Sequence, residues 1–140
     1  MVAFHMFCHR DARLAREIAR APFEQYFRAL NDAVADWLGG TTSKDYPDYE
    51  KSMRKLAAFT LDGQIESGGA WVGTPSEIRA IIRRLSESFG KFEHASLQIN
   101  FGSIDFRHAQ ESMRLFAAEV MPEFADKAEV GSAARSAQAR

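Results

Sequence analysis

Residues 68–124 read GGAWVGTPSEIRAIIRRLSESFGKFEHASLQINFGSIDFRHAQESMRLFAAEVMPEF. The decisive piece is Gly73-Thr74-Pro75-Ser76-Glu77. A threonine hydroxyl accepts well from the free N–H groups of a first helical turn, and proline suits the first helical position because its missing N–H would be unpaired there anyway. Glu77, three residues after the cap, completes a capping box. The sequence therefore predicts a helix starting at Pro75, with Thr74 accepting from the N–H of Ser76 or Glu77. Ahead of it, Ala70-Trp71-Val72 reads as a very short strand. Behind it, Ile78, Ile81, Ile82, Leu85 and Phe89 form a helical apolar stripe that Gly90 closes.

Residues 95–101 follow as an apolar strand, in which Leu97, Ile99 and Phe101 alternate with Ser96, Gln98 and Asn100 before Gly102 ends it. Phe106, Ala109, Met113, Phe116, Ala117, Val120 and Phe124 stripe a last helix. Strand, capped helix, strand, helix is the order of parallel α/β folds.

Outward from this core, residues 2–8 form an apolar and aromatic run ending at His9-Arg10-Asp11, and read as a buried strand. Asp11 is placed to cap the next helix, which Leu14 and Ile18 begin. Pro22 is expected to break or kink it, because proline removes one helical hydrogen bond and crowds the preceding turn. Phe23, Phe27, Leu30, Val34 and Leu38 then recur at helical spacing up to Gly39-Gly40. A polar loop follows at 41–47, then a moderately amphipathic helix carrying Tyr49, Met53, Leu56 and Ala57, and a short helical turn at 61–67. The Ala-, Ser-, Gly- and Arg-rich segment 127–140 has no apolar period and is expected to be a disordered tail. The expectation is an α/β domain over residues 1–126, with parallel strands near 2–8, 70–73 and 94–101 side by side and helices on one side of the sheet.

Composition narrows the function classes. A chain of 140 residues with 46% hydrophobic and 26% charged residues suits one soluble domain. A net charge of -1 with interspersed signs gives no electrostatic footprint for nucleic acid or an anionic membrane. No apolar run reaches the roughly 20 residues that span a bilayer. The first eight residues lack the basic region and small-residue cleavage site of a signal peptide. One cysteine, Cys8, excludes an internal disulfide, and a reducing cytoplasm is the expected compartment.

Candidate chemistry is sparse. His5 and His9 share one face of a strand but stand about 13 Å apart, too far to hold one metal ion, while His94 and His108 have no ligand at suitable spacing. No metal is expected. Cys8 lacks a base and reads as a buried structural thiol. The glycines at 68, 69 and 73 match neither dinucleotide nor Walker patterns. The Gly73-Thr74-Pro75 turn offers N–H groups to an anion, although a plain capping box explains it. The polar row of the strands faces either a barrel lumen or solvent. On the first alternative His9, Gln98, Asn100, Phe101 and Gly102 are the candidate pocket-lining residues.

The runs GAWVGTPSEIRAIIRRL, HASLQINFG and AQESMRLFAAEVMPEF resemble, in that order, the C-terminal part of the bacterial luciferase-like flavin-dependent monooxygenases. The earlier run FHMFCHRDARLAREIARAPFEQYF is similar to that family's sixth barrel strand and following helix, so the resemblance spans about residues 2–125. It implies a partial TIM barrel, an oxygenase activity with reduced FMN or a deazaflavin and molecular oxygen, and strands equivalent to the last three of eight. A whole barrel needs about 250 residues. Only Gly73, Thr74, Pro75 and Glu77 match the family's helix start, and Phe101 and Gly102 the end of its last strand, so no catalytic residue is carried over. A non-catalytic α/β binding or oligomerisation domain is the alternative. Either way, an incomplete barrel is expected to pair with its missing N-terminal half or to form a homo-oligomer through the face of His5, Gln98 and Asn100 or a sheet edge.

Overall fold

The computed structural model describes residues 2–35, 55, 58–90, 92 and 94–125. The loop and helix expected between 41 and 57 lie, but for residue 55, outside the described residues, as does the tail expected at 127–140. In chain order the elements are β1 (Val2–Cys8), α1 (Ala12–Val34), α2 (Leu61–Ser67), β2 (Ala70–Gly73), α3 (Pro75–Phe89), β3 (Ala95–Gln98), α4 (Phe106–Glu119) and α5 (Met121–Phe124). The three strands are parallel, as expected. β3 is shorter than its apolar run, and residues 99–101 leave the sheet.

The sheet order is β2-β1-β3, so the longest strand lies in the middle and the chain passes back across it between β2 and β3. Right-handed crossovers then have a consequence. A step from β1 to β2 in one direction and a return past β1 in the other put the two connecting helices on opposite faces. The packing agrees. Phe7, Ala70 and Val72 meet Ala15, Ala19, Phe23 and Phe27 of α1 on one face. Met6, Cys8 and Trp71 meet Ile78, Ile81, Ile82 and Leu85 of α3 on the other, together with Phe116 and Val120. Helices on one side was the expectation from sequence; the structure corrects it to helices on both. The cause lies in the strands themselves: β1 carries bulky apolar residues on both faces over Met6–Phe7–Cys8, all nearly fully buried, as strands of parallel sheets do.

α1 also corrects the reading of Pro22. The helix runs unbroken from Ala12 to Val34 with Pro22 inside it. An interior proline costs about 3 kcal/mol. Here Ala19, Pro22 and Phe23 are all buried against the sheet, and that burial offsets the lost hydrogen bond. Asp11 caps the helix, its side chain accepting from the Leu14 N–H at 2.9 Å.

The capped helix forms where the sequence places it. The Thr74 hydroxyl accepts from the Glu77 N–H at 3.3 Å, and the Glu77 carboxylate accepts from the Thr74 N–H at 2.8 Å. Replacing Thr74 with alanine is expected to lower stability by about 1 kcal/mol, read as a shift of the urea midpoint at unchanged slope; an unshifted midpoint would show that Pro75 and packing alone set the helix start.

β3 pairs only with Val2–His5 of β1. Above that point α4 lies against β1, and the buried Ser112 hydroxyl accepts from the Cys8 N–H at 2.7 Å. A helix side chain thus satisfies a strand donor that a neighbouring strand would otherwise take.

Candidate functional site

Parallel α/β sheets place their chemistry beyond the C-terminal strand ends. Here that region comprises Cys8 and His9 after β1, Gly73 and Thr74 after β2, and residues 99–102 after β3. The His9 N–H donates to the Gly73 carbonyl at 3.0 Å, holding the ends of β1 and β2 together. The His9 Nδ1 accepts from the Asp11 N–H at 3.0 Å. That bond fixes the ring's orientation and leaves Nε2 as its outward nitrogen.

The other sequence candidates separate. Gln98 and Asn100 are exposed. Phe101 is buried in the aromatic cluster under α1, its ring 5.1 Å from His5 and 6.4 Å from Phe23. Gly102 has a left-handed φ of 59° and lies so close to α1 that a Cβ there would collide with the Pro22 carbonyl oxygen. His5, grouped from sequence with Gln98 and Asn100 on one open face, lies beneath α1 instead, between the rings of Phe23, Tyr26 and Phe27. A cleft of about 440 Å³ lies at the opposite end of the sheet, lined by Val2, Phe4, Gly69, Leu85, Phe89 and Phe92 among others and by none of the five candidates.

Sequence reasoning passed over the charged rim at the C-terminal end. Arg16 donates to Glu77 at 2.9 Å, joining α1 to α3. Arg10 pairs with Glu119 at 2.6 Å. Arg79 donates to the Glu119 carbonyl at 2.6 Å and pairs with Glu123 at 3.2 Å, and Arg83 pairs with Glu123 at 2.6 Å. The signal was present in the spacing. Arg79 and Arg83 are four apart along α3, and Glu119 and Glu123 are four apart along the final helices, so each pair forms a column that can face the other. What no spacing reveals is that α3 and the helices carrying Glu119 and Glu123 are neighbours. Burial works to raise the Glu77 carboxyl, but its bonds from Thr74 and Arg16 outweigh that and hold it below the usual carboxylate range. These contacts link α1, α3, α4 and α5 and leave each of these carboxylates engaged by a cation.

Cys8 is 2% exposed, and burial, reinforced by the Glu119 charge, pushes its thiol up to about 12. The thiolate needed for nucleophilic chemistry is therefore scarce at neutral pH. Among the described residues no group of three His, Cys, Asp or Glu side chains is placed to hold a metal ion, and no helix is long and apolar enough to cross a membrane.

No protein-family model matches the sequence, and no curated protein matches it. Among solved structures the chain is similar to the crystal structure of the monooxygenase RslO1 from Streptomyces bottropensis, with 23% sequence identity and a TM-score of 0.53. The match covers 88% of this chain and 30% of that one. At this identity the likeness concerns the fold, and this chain corresponds to less than a third of the other's length.

Proposed function

We propose that this chain is the C-terminal part of a luciferase-like flavin-dependent monooxygenase, an enzyme of the class that uses reduced FMN or a deazaflavin with molecular oxygen. The observation that carries the reading is the agreement of two partial likenesses. The sequence runs at 4–27, 69–85, 94–102 and 109–124 follow the family's order, and a known monooxygenase matches 88% of the chain with 30% of its own.

In the barrel reading β1, β2 and β3 are the sixth, seventh and eighth strands, and β2 lies between the other two. The order here has β1 in the middle. The exchange moves one open edge from β1 to β2, since a three-stranded sheet has two open edges in either order.

The residues do not fit a complete flavin site. The Thr74 hydroxyl is spent on Glu77, Phe101 is buried, Gly102 is closed against Pro22, and the cations of the rim are paired. A phosphate-anchored cofactor needs several convergent free donors. The expected result of titrating the purified chain with FMN is no saturable fluorescence quenching and no oxygenase turnover with reduced FMN. Micromolar binding lost on His9→Ala or Asn100→Ala would replace this reading with that of a site complete within the chain. The relation to a longer protein is tested separately, by sequencing the DNA upstream of Met1. A continuous or adjacent reading frame encoding the five earlier strands supports it; no such sequence removes it.

A further inference from the structure

We infer that His5 is an acid-sensitive latch: with a neutral ring it lets α1 close over the sheet, and on protonation it releases α1 and bares the aromatic face beneath. This rests on packing and stands apart from the monooxygenase reading.

His5 lies on the central strand, paired with Ala70 of β2 and Gln98 of β3. The residue is half-buried, and four aromatic rings border its imidazole. Phe23, Tyr26 and Phe27 come from α1 at centroid distances of 5.2, 4.8 and 5.4 Å, and Phe101 comes from the chain after β3 at 5.1 Å. The Nε2 atom is buried and has no hydrogen-bond partner among the described residues. A neutral imidazole tolerates this, since a bare acceptor nitrogen costs little more than its lost water. An imidazolium is penalised more, because the buried Nε2–H then becomes a charged donor with no acceptor among the described residues.

The groups facing the ring offer no rescue. From α1 the one titratable neighbour is the Tyr26 phenol. β3 presents the uncharged Gln98, β2 presents Ala70, and the segment after β3 presents Phe101. No carboxylate among the described residues faces the imidazole. Ring faces attract cations, but burial prevails and holds His5 below the ordinary histidine value of 6.5.

The sign of the linkage follows. The docked state takes up its proton at lower pH than the undocked state. The stability of α1 docking is thus fully present above pH 6.5 and is lost as pH falls through the lowered value of the docked ring. Each unit of lowering permits about a tenfold fall in the docking equilibrium. α3 packs on the other face of the sheet, against Met6, Cys8 and Trp71, so its attachment is independent of this titration.

Hydrogen exchange of the whole chain at pH 7 and pH 5, corrected for intrinsic rates, tests the latch. The expected result is loss of protection at pH 5 in peptides covering α1, with α3 still protected. The His5→Phe variant should keep α1 protected at both values, whereas His94→Gln and His108→Gln should behave as the parent. Equal α1 protection at both pH values, the same loss in His5→Phe, or simultaneous loss across α1 and α3 overturns the proposal. If His5→Phe does not fold, the ring proton resonances of the unaltered protein decide: titration of His5 below 6.5 supports the latch, and titration at or above 6.5 overturns it.

Discussion

Replacing Phe23 with alanine is expected to lower the stability of this protein by about 3–5 kcal/mol. Phe23 is fully buried, and its ring is packed 4.7 Å from Phe27, 5.2 Å from His5 and 6.4 Å from Phe101. Truncation removes the transfer energy of the ring and leaves a cavity bounded by a helix and a sheet, neither of which can collapse into it. Domains of this size are stable by only about 5–15 kcal/mol, so the variant should unfold at much lower urea. Phe106→Ala supplies the contrast. Phe106 belongs to the apolar stripe of α4 but is 71% exposed, and its loss should stay within about 0.5 kcal/mol. Two similar urea midpoints would mean that α1 does not cover the sheet as described.

Gly102→Ala should cost about 2–5 kcal/mol, from two additive sources. The left-handed backbone at φ 59° costs an alanine about 1–2 kcal/mol. The added methyl must also displace the Pro22 backbone, colliding with its carbonyl oxygen and lying 2.9 Å from its Cα, an overpacking of about 1–3 kcal/mol. Gly90→Ala separates the two. Its φ is 77°, but nothing lies within 4 Å of an added Cβ, so only the backbone cost should appear. The pair also decides what Gly102 does. If it lined a pocket, alanine would change ligand affinity at constant stability; if it is the close contact between the last strand's exit and α1, thermal unfolding will show the larger loss at Gly102. Equal losses at the two glycines would dismiss the contact with Pro22.

The same contact accounts for the part of the candidate site that sequence misplaced. Phe101 and Gly102 end an apolar run whose alternation reads as a strand through residue 101. The ladder stops at Gln98, and the next residues turn under α1, burying Phe101 against Phe23 and His5. Period-two alternation records that a side chain wants burial, and it carries no information about which surface provides it. The stripe of α4 divides for a similar reason. Ala109, Phe116 and Val120 are buried, while Phe106, Met113, Ala117 and Phe124 are exposed, although all seven positions look alike on a helical wheel.

What the sequence by itself determined is local. The Thr74 capping box, Pro75 at the first helical position, the Asp11 cap, the glycines that close α2 and α3, and the three apolar runs each act within a few residues, so their chemistry can be read without knowing the fold. The parallel direction of the strands followed as well, because connections of helix length favour it. Tertiary structure alone decided the order β2-β1-β3, the placement of helices on both faces, the continuity of α1 through Pro22, the position of His5 beneath α1 and the meeting of Arg79 and Arg83 with Glu119 and Glu123. Each depends on which distant surfaces come together. For β1 both faces are apolar and both edges offer unpaired backbone groups, so the free energy of burial chooses its neighbours among segments up to about a hundred residues away, and nothing in the seven residues of the strand names them.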